Sequence, residues 1–179
     1  MSTDDRPEPE DATDATDATD AQDAIRNFWT MTMRYARVGI LDVYMGASWG
    51  AALAPPAWSF GDSPELADRL LGLVLDGRKH ATTGLHQDYI DANEPLPRAG
   101  DLSIILDGTG YPQALIRDTE IVVAPFGEIT AEQAAAEGED DTSLDAWRAA
   151  HRAVWERHGQ ELSDDTPVVW ERFEVLYPR

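Results

Sequence analysis

The stretch Ser63-Pro64-Glu65-Leu66-Ala67-Asp68-Arg69-Leu70-Leu71-Gly72-Leu73-Val74-Leu75-Asp76-Gly77 runs straight into Arg78-Lys79-His80-Ala81-Thr82-Thr83-Gly84. Ser63 has the hydroxyl of an N-cap. Pro64 suits a first helical position, where its missing N–H costs nothing. Leu66, Leu70, Leu71 and Val74 recur on one face, Glu65, Asp68, Arg69 and Asp76 turn away, and Gly77 stops the helix. The pattern predicts an amphipathic helix laid on a core, with a polar segment leaving its end.

Toward the C-terminus, Pro95, Pro97 and Gly100 punctuate the chain before Leu102 to Leu106, a short β-rich run closed by the turn signal Asp107-Gly108. Its hairpin partner is Gln113 to Val123, rich in β-branched residues and long enough to bend around a small barrel. Thr130 with Gln133 forms a capping-box signature for a short alanine-rich helix. Ser143 caps another that carries Leu144, Trp147, His151, Val154 and Trp155 and closes at Gly159. Val168 to Tyr177 alternates as a last strand, with Val169, Phe173 and Val175 on one face and Trp170, Arg172 and Glu174 on the other.

Toward the N-terminus, Asp23 is a candidate cap for a helix on which Ile25, Phe28, Trp29, Thr32, Ala36 and Ile40 recur at helical spacing. Gly39, Gly46 and Gly50 weaken its continuation, Pro55-Pro56 ends any helix, and the chain to Asp62 reads as an irregular connection. Residues 1–23 include the Ala-Thr-Asp triplets of Ala12 to Asp20, polar and of one charge sign. The expected organisation is a disordered acidic tail over 1–23, an N-terminal helical extension packed on the core over 24–57, and one domain over 58–179. Strands interspersed with capped helices give an α+β class.

A length of 179 residues, 42% hydrophobic composition and six tryptophans support one packed domain with appendages. The absence of cysteine excludes disulfides, thiolate zinc sites and cysteine nucleophiles. His151 and His158 could share a helical face, but no third ligand accompanies them, so neither metal nor cofactor is expected. The N-terminus lacks the basic and apolar regions of a signal peptide, and the apolar stretch Gly39 to Leu53 is too short and interrupted to span a bilayer. A cytoplasmic protein without membrane contact is expected. The net charge is −20; residues 1–23 hold nine acids against Arg6 alone, and the remainder still carries −12. Long phosphate backbones are bound by clusters of Lys and Arg, of which the chain has fourteen in all. Long duplex nucleic acid is therefore a poor partner, and a small nucleoside-like ligand or short RNA a better one. The charge says nothing of oligomeric state.

The chain resembles the ASCH family, whose fold is a PUA-like β-barrel with helices. The residues that carry the resemblance are Phe60-Gly61-Asp62 through the helix to Gly77-Arg78-Lys79, then Leu96-Pro97-Arg98-Ala99-Gly100-Asp101, Ile116 to Val123, Pro125-Phe126, Ser143-Leu144-Asp145-Ala146-Trp147-Arg148 and Pro167 to Pro178. The family pattern Gly-x-Lys-x-x-Glu-x-Arg here has Thr82 and Gly84 at the acidic and arginine positions, so roles of that pair are not carried over. A threonine three residues after the lysine is closer to the small ASCH amidohydrolases that act on N4-acetylcytidine. That match implies Lys79, Thr82 and Glu120 as catalytic residues, with Arg78, Thr83, His86, Trp58 and Arg172 around the substrate.

Amide hydrolysis needs a nucleophile, a proton acceptor and a stabiliser for the oxyanion. Thr82 would attack or orient water. Lys79 is either a neutral base, with Glu120 holding a partner, or a charged oxyanion stabiliser, with Glu120 as base. Lys79 follows a glycine-stopped helix and is expected outside the core. The alternative readings are capping residues at a helix end, an RNA- or modified-base-binding module without catalysis, and a metal-assisted ribonuclease.

Overall fold

The computed structural model describes residues 12–35, 54–139 and 141–178. Five α-helices occur among them: α1 (Ala12–Thr32), α2 (Pro64–Leu75), α3 (His86–Asp91), α4 (Ala131–Ala136) and α5 (Leu144–Arg157). The strands are β1 (Ala57–Trp58), β2 (Ala81–Leu85), β3 (Leu102–Leu106), β4 (Pro112–Pro125) and β5 (Pro167–Tyr177). None of the described helices is long and apolar enough to cross a membrane.

The cap chemistry acts as the sequence predicts. Ser63 accepts from the Leu66 N–H with Pro64 behind it, Thr130 and Gln133 form a reciprocal capping box, and Ser143 accepts from the Ala146 N–H. Gly77 takes φ +68° and releases α2. The β3–β4 turn closes on Asp107, whose carboxylate accepts from the Thr109 and Tyr111 N–H groups. Gly108 lets this turn meet α2: a Cβ there would lie 2.3 Å from the Pro64 carbonyl oxygen, and its N–H donates to Asp68.

The strands form one sheet in the order β1-β3-β4-β5-β2, antiparallel except for the β1–β3 pair. The expected barrel is corrected to an open five-stranded sheet. Its outer strands are short, two residues in β1 and five in β2, and among the described residues each pairs only inward. The long β4 and β5 pair along most of their length, with irregularities at Leu115/Ile116 and Asp118/Glu120 that bend them.

Three apolar clusters cover the sheet. Phe126, Trp147 and Trp155 pack with Ala81, Leu85, Val168 and Trp170 under α4 and α5. Leu70, Leu71 and Val74 of α2 pack with Phe60, Ile105, Ile116 and Phe173. Phe28 and Trp29 of α1 pack with Ile104, Leu115 and Leu176. Trp170 and Phe173 thus leave β5 on opposite sides, and both are buried because both sides of the sheet are covered.

The expectation for the N-terminal region is corrected in one respect. The helix is not capped at Asp23 but starts at Ala12, so much of the expected tail is helical, and Asp23 lies within it in an ion pair with Arg26. Docking of Phe28 and Trp29 provides the costly nucleus, and alanines extend a helix at little further cost. Ala36 and Ile40, expected on the same helix, lie outside the described residues.

Candidate functional site

Strand β2 carries Thr82 and Thr83 side by side, and a strand sends successive side chains to opposite faces. Thr83 pairs with Trp170 and shares the side of Ala81 and Leu85, under α4 and α5; Thr82 pairs with Glu171 on the other side. The two hydroxyls therefore belong to different surroundings.

On the Thr83 side the centre is Glu137. Its Oε1 accepts from the Thr83 hydroxyl at 2.6 Å and from the Trp147 indole N–H at 2.7 Å. Its Oε2 faces Lys79 Nζ at 3.4 Å and His151 Nε2 at 3.7 Å. Lys79 Nζ also donates to Glu139 at 2.5 Å and lies 5.3 Å from the centre of the Phe60 ring. Lys79 and Glu137 are each 1% exposed, whereas the Glu139 side chain is 21% exposed and marks the outer edge of the cluster.

The loop that supplies both glutamates is set by Gly138. It has φ +67°, and a Cβ there would lie 2.1 Å from the Arg78 carbonyl oxygen. Only glycine allows this approach, which lays Glu137 and Glu139 against the segment leaving α2. The His80 N–H donates to the Ala136 carbonyl and fixes the same junction. His151, stacked on Trp147 with ring centres 4.2 Å apart, has Nδ1 at 3.0 Å from the Trp147 carbonyl and presents Nε2 to Glu137. Lys79 is the only lysine in the chain.

On the Thr82 side, Glu171 accepts from the Tyr89 hydroxyl at 2.7 Å. Asp118 pairs with Phe173 across β4 and β5 and is 7% exposed. Burial first, then the charges of Glu171 and Asp101, push the Asp118 carboxyl up to about 7. Burial raises Glu171 as well, against the lowering effect of the Tyr89 hydrogen bond.

The expected trio is distributed as follows. Lys79 is bound to Glu137 and Glu139 and is buried rather than peripheral, because the Glu137–Glu139 loop folds over it. Thr82 faces away from Thr83, the residue that joins the Lys79 cluster. Glu120 is exposed and pairs with Arg172 at 3.5 Å. Arg172 also lies over Trp170 and reaches Glu132 at 3.8 Å. Arg78 is exposed, His86 begins α3 half-buried, and Trp58 packs edge-on against Phe60. Among the described residues no group of three or more acidic or histidine side chains is placed to hold a metal ion. Sequence reading missed Glu137, Glu139, Asp118 and Glu171. A Glu-Gly-Glu run after a capped helix was the available signal for the first two; the strand register that aligns Thr82 with Glu171 leaves none.

The sequence model of the ASCH domain family matches residues 56–177. No functionally curated protein matches the chain. Among solved structures it is similar to protein EF3133 of Enterococcus faecalis V583, at 32% identity and a TM-score of 0.68 over 86% of this chain and 88% of that one. It is also similar to an ASCH domain of Lactobacillus crispatus JV V101, at 25% identity and a TM-score of 0.67 over 85% and 94%. Profile and structure agree: the chain belongs to the ASCH domain family, a PUA-like fold.

Proposed function

We propose that the protein hydrolyses the amide of a modified nucleoside or similarly small molecule, with Thr83, Glu137 and Lys79 as the working group. The observation that carries this reading is the Glu137 carboxylate, which holds a threonine hydroxyl at 2.6 Å on one oxygen and the lone lysine on the other. It is a lysine, threonine and glutamate set of the composition expected from the sequence, with Thr83 and Glu137 in place of Thr82 and Glu120. The charge of −20 supports a small substrate over a long polyanion.

Glu137 accepts the Thr83 hydroxyl proton as the hydroxyl oxygen bonds to the amide carbonyl carbon. When the carbon–nitrogen bond breaks, Glu137 passes that proton to the departing nitrogen. Water then adds to the threonyl ester, gives its proton to Glu137, and the carboxylic acid leaves as Thr83 recovers its own. Lys79, ion-paired with both glutamates, positions Glu137 and sets positive charge beside the reacting carbonyl. Its pairing fits an electrostatic role better than that of a neutral base.

Acetate release from N4-acetylcytidine by the full chain tests the proposal. Glu137→Gln and Thr83→Val are expected to lower the rate by about a hundredfold or more, while Thr82→Val leaves it within about threefold. Loss in Thr82→Val with activity kept in Thr83→Val would restore the Thr82 arrangement. Selective 15N-lysine labelling gives a single side-chain signal, from Lys79. A substrate-induced shift of that signal without acetate release would replace hydrolysis by recognition of a modified base.

A further inference from the structure

His151 borders Glu137 and takes no part in the hydrolysis proposed for Thr83, Glu137 and Lys79. Its side chain is only 15% exposed, stacked on Trp147 with ring centres 4.2 Å apart and edge-on to Trp155 at 5.1 Å, so two indoles fix its plane. Nδ1 lies 3.0 Å from the Trp147 carbonyl oxygen, which can only accept. The hydrogen of the neutral ring is therefore held on Nδ1, and Nε2 is left as a lone pair. That lone pair stands 3.7 Å from Glu137 Oε2, the oxygen that also faces Lys79 Nζ at 3.4 Å. The other oxygen, Oε1, receives the Thr83 hydroxyl and the Trp147 indole N–H. A proton that joins the ring has one position open to it, Nε2, and arrives against the carboxylate.

We propose that His151 is a positioning residue that sets the basicity of Glu137. A neutral ring leaves the carboxylate able to take the Thr83 proton; a proton at Nε2 makes the ring a second cation on Oε2 and withdraws Glu137 from that exchange. The effect on rate rests on the hydrolase reading, whereas the pairing of ring and carboxylate does not. An opposite charge nearby favours the ionised form of a carboxylate, so Glu137 held by Lys79 alone is a stronger base than Glu137 held by Lys79 and an imidazolium. The charged groups that face the ring come from two other segments: Glu137 directly, and across it Glu139 of the same loop and Lys79 beyond α2. On its own helix, Arg148 and Arg152 are turned away, to the Gly127 carbonyl and to Asp164. Protonation of the ring takes the group of Lys79, Glu137 and Glu139 from one net negative charge to none. Activity therefore falls as pH drops through the range in which imidazole titrates.

Lys79 is the only lysine, so 15N-lysine labelling of the full chain gives one reporter on Glu137 Oε2, and 15N-histidine labelling follows the four histidines. His80→Asn, His86→Asn and His158→Asn identify the His151 signals by elimination. Between about pH 8 and about pH 5, proton uptake at His151 Nε2 is expected to shift the Lys79 signal with the same midpoint. That step should vanish in His151→Gln and in His151→Phe; the second keeps a ring against Trp147 and serves if the first does not fold. Acetate release from N4-acetylcytidine by the wild type should fall about tenfold or more at the same midpoint, and the variants should lack that step. A Lys79 signal that ignores the His151 titration overturns the pairing, as does a neutral ring with its hydrogen on Nε2. An acid step in rate that persists in both variants overturns His151 as its source. A chain that releases no acetate while Lys79 follows His151 refutes hydrolysis and keeps the pairing; one that hydrolyses without that coupling refutes the pairing alone.

Discussion

The two sides of β2 handle buried charge in opposite ways. Beside Thr83, a lysine stands between two glutamates, and one of these also receives a threonine hydroxyl and an indole N–H. Beside Thr82, the buried Asp118 and the half-buried Glu171 stand together, and the Tyr89 hydroxyl donates to Glu171. The first cluster has its acceptors matched and is locked; the second has acceptors to spare. Low local dielectric makes both consequential, since it strengthens a paired group and penalises an unpaired one. One strand thus separates a closed cluster of matched charges around Glu137 from a group of neighbouring carboxylates around Asp118.

The largest effect that could break this contrast is Lys79→Ala. Removing one member of a buried pair leaves uncompensated charge and costs about 3 to 5 kcal/mol. Here the variant would leave Glu137 and Glu139 facing each other without a cation, so a fall in denaturation midpoint is expected along with any loss of activity. Glu120→Ala, which opens an exposed pair with Arg172, should cost under about 1 kcal/mol. Similar losses in chemical denaturation would mean that Lys79 is not held as the structure places it.

Asp118→Asn sharpens the other side of the comparison. The carboxyl in the folded chain titrates at about 7 against 3.8 for the ordinary group, so between those values the unfolded chain releases a proton that the folded chain keeps. Wild-type stability is therefore unpenalised below about pH 4, falls as pH rises through the window, and levels off above about 7. Asparagine lacks this term. The variant should match wild type near pH 4 and exceed it by roughly 1 to 2 kcal/mol near pH 8, after allowance for solvent screening. A gap that is flat with pH would show that Asp118 is ordinarily solvated.

Much of the fold was legible because its signals are local. Ser63, Thr130 and Ser143 cap helices by contacts within three residues, Gly77 ends one through its own backbone, and Leu102 to Leu106 matches its strand end for end. What escaped depends on distant neighbours. Open sheet or closed barrel is decided by whether the short β1 and β2 find each other, which no window of sequence reports. Helix α1 extends through the Ala-Thr-Asp triplets because Phe28 and Trp29 dock on Ile104 and Leu115 far along the chain. Lys79 was singled out through the family resemblance, but its partners in the structure lie 58 and 60 residues away and reach it through one glycine contact. The choice between Thr82 and Thr83 needed the register with β5.

That choice also yields the smallest effect and the most direct test of the contrast. Valine has nearly the shape of threonine and suits a strand, so replacing either threonine changes one hydroxyl and little else. Thr83→Val withdraws a donor from a carboxylate that is almost fully buried, leaving Glu137 Oε1 with the Trp147 indole alone; about 1 to 2 kcal/mol should be lost, because a hydrogen bond to a charged group outweighs a neutral one. Thr82 makes no side-chain hydrogen bond to any described residue, and Thr82→Val should shift stability by no more than roughly 0.5 kcal/mol in either direction. The two variants, compared at the same denaturant midpoint, differ only in which side of β2 loses an oxygen. A larger loss from Thr82→Val would mean that the Tyr89–Glu171–Asp118 side is the more tightly built of the two, and the roles assigned to the two clusters would have to be exchanged.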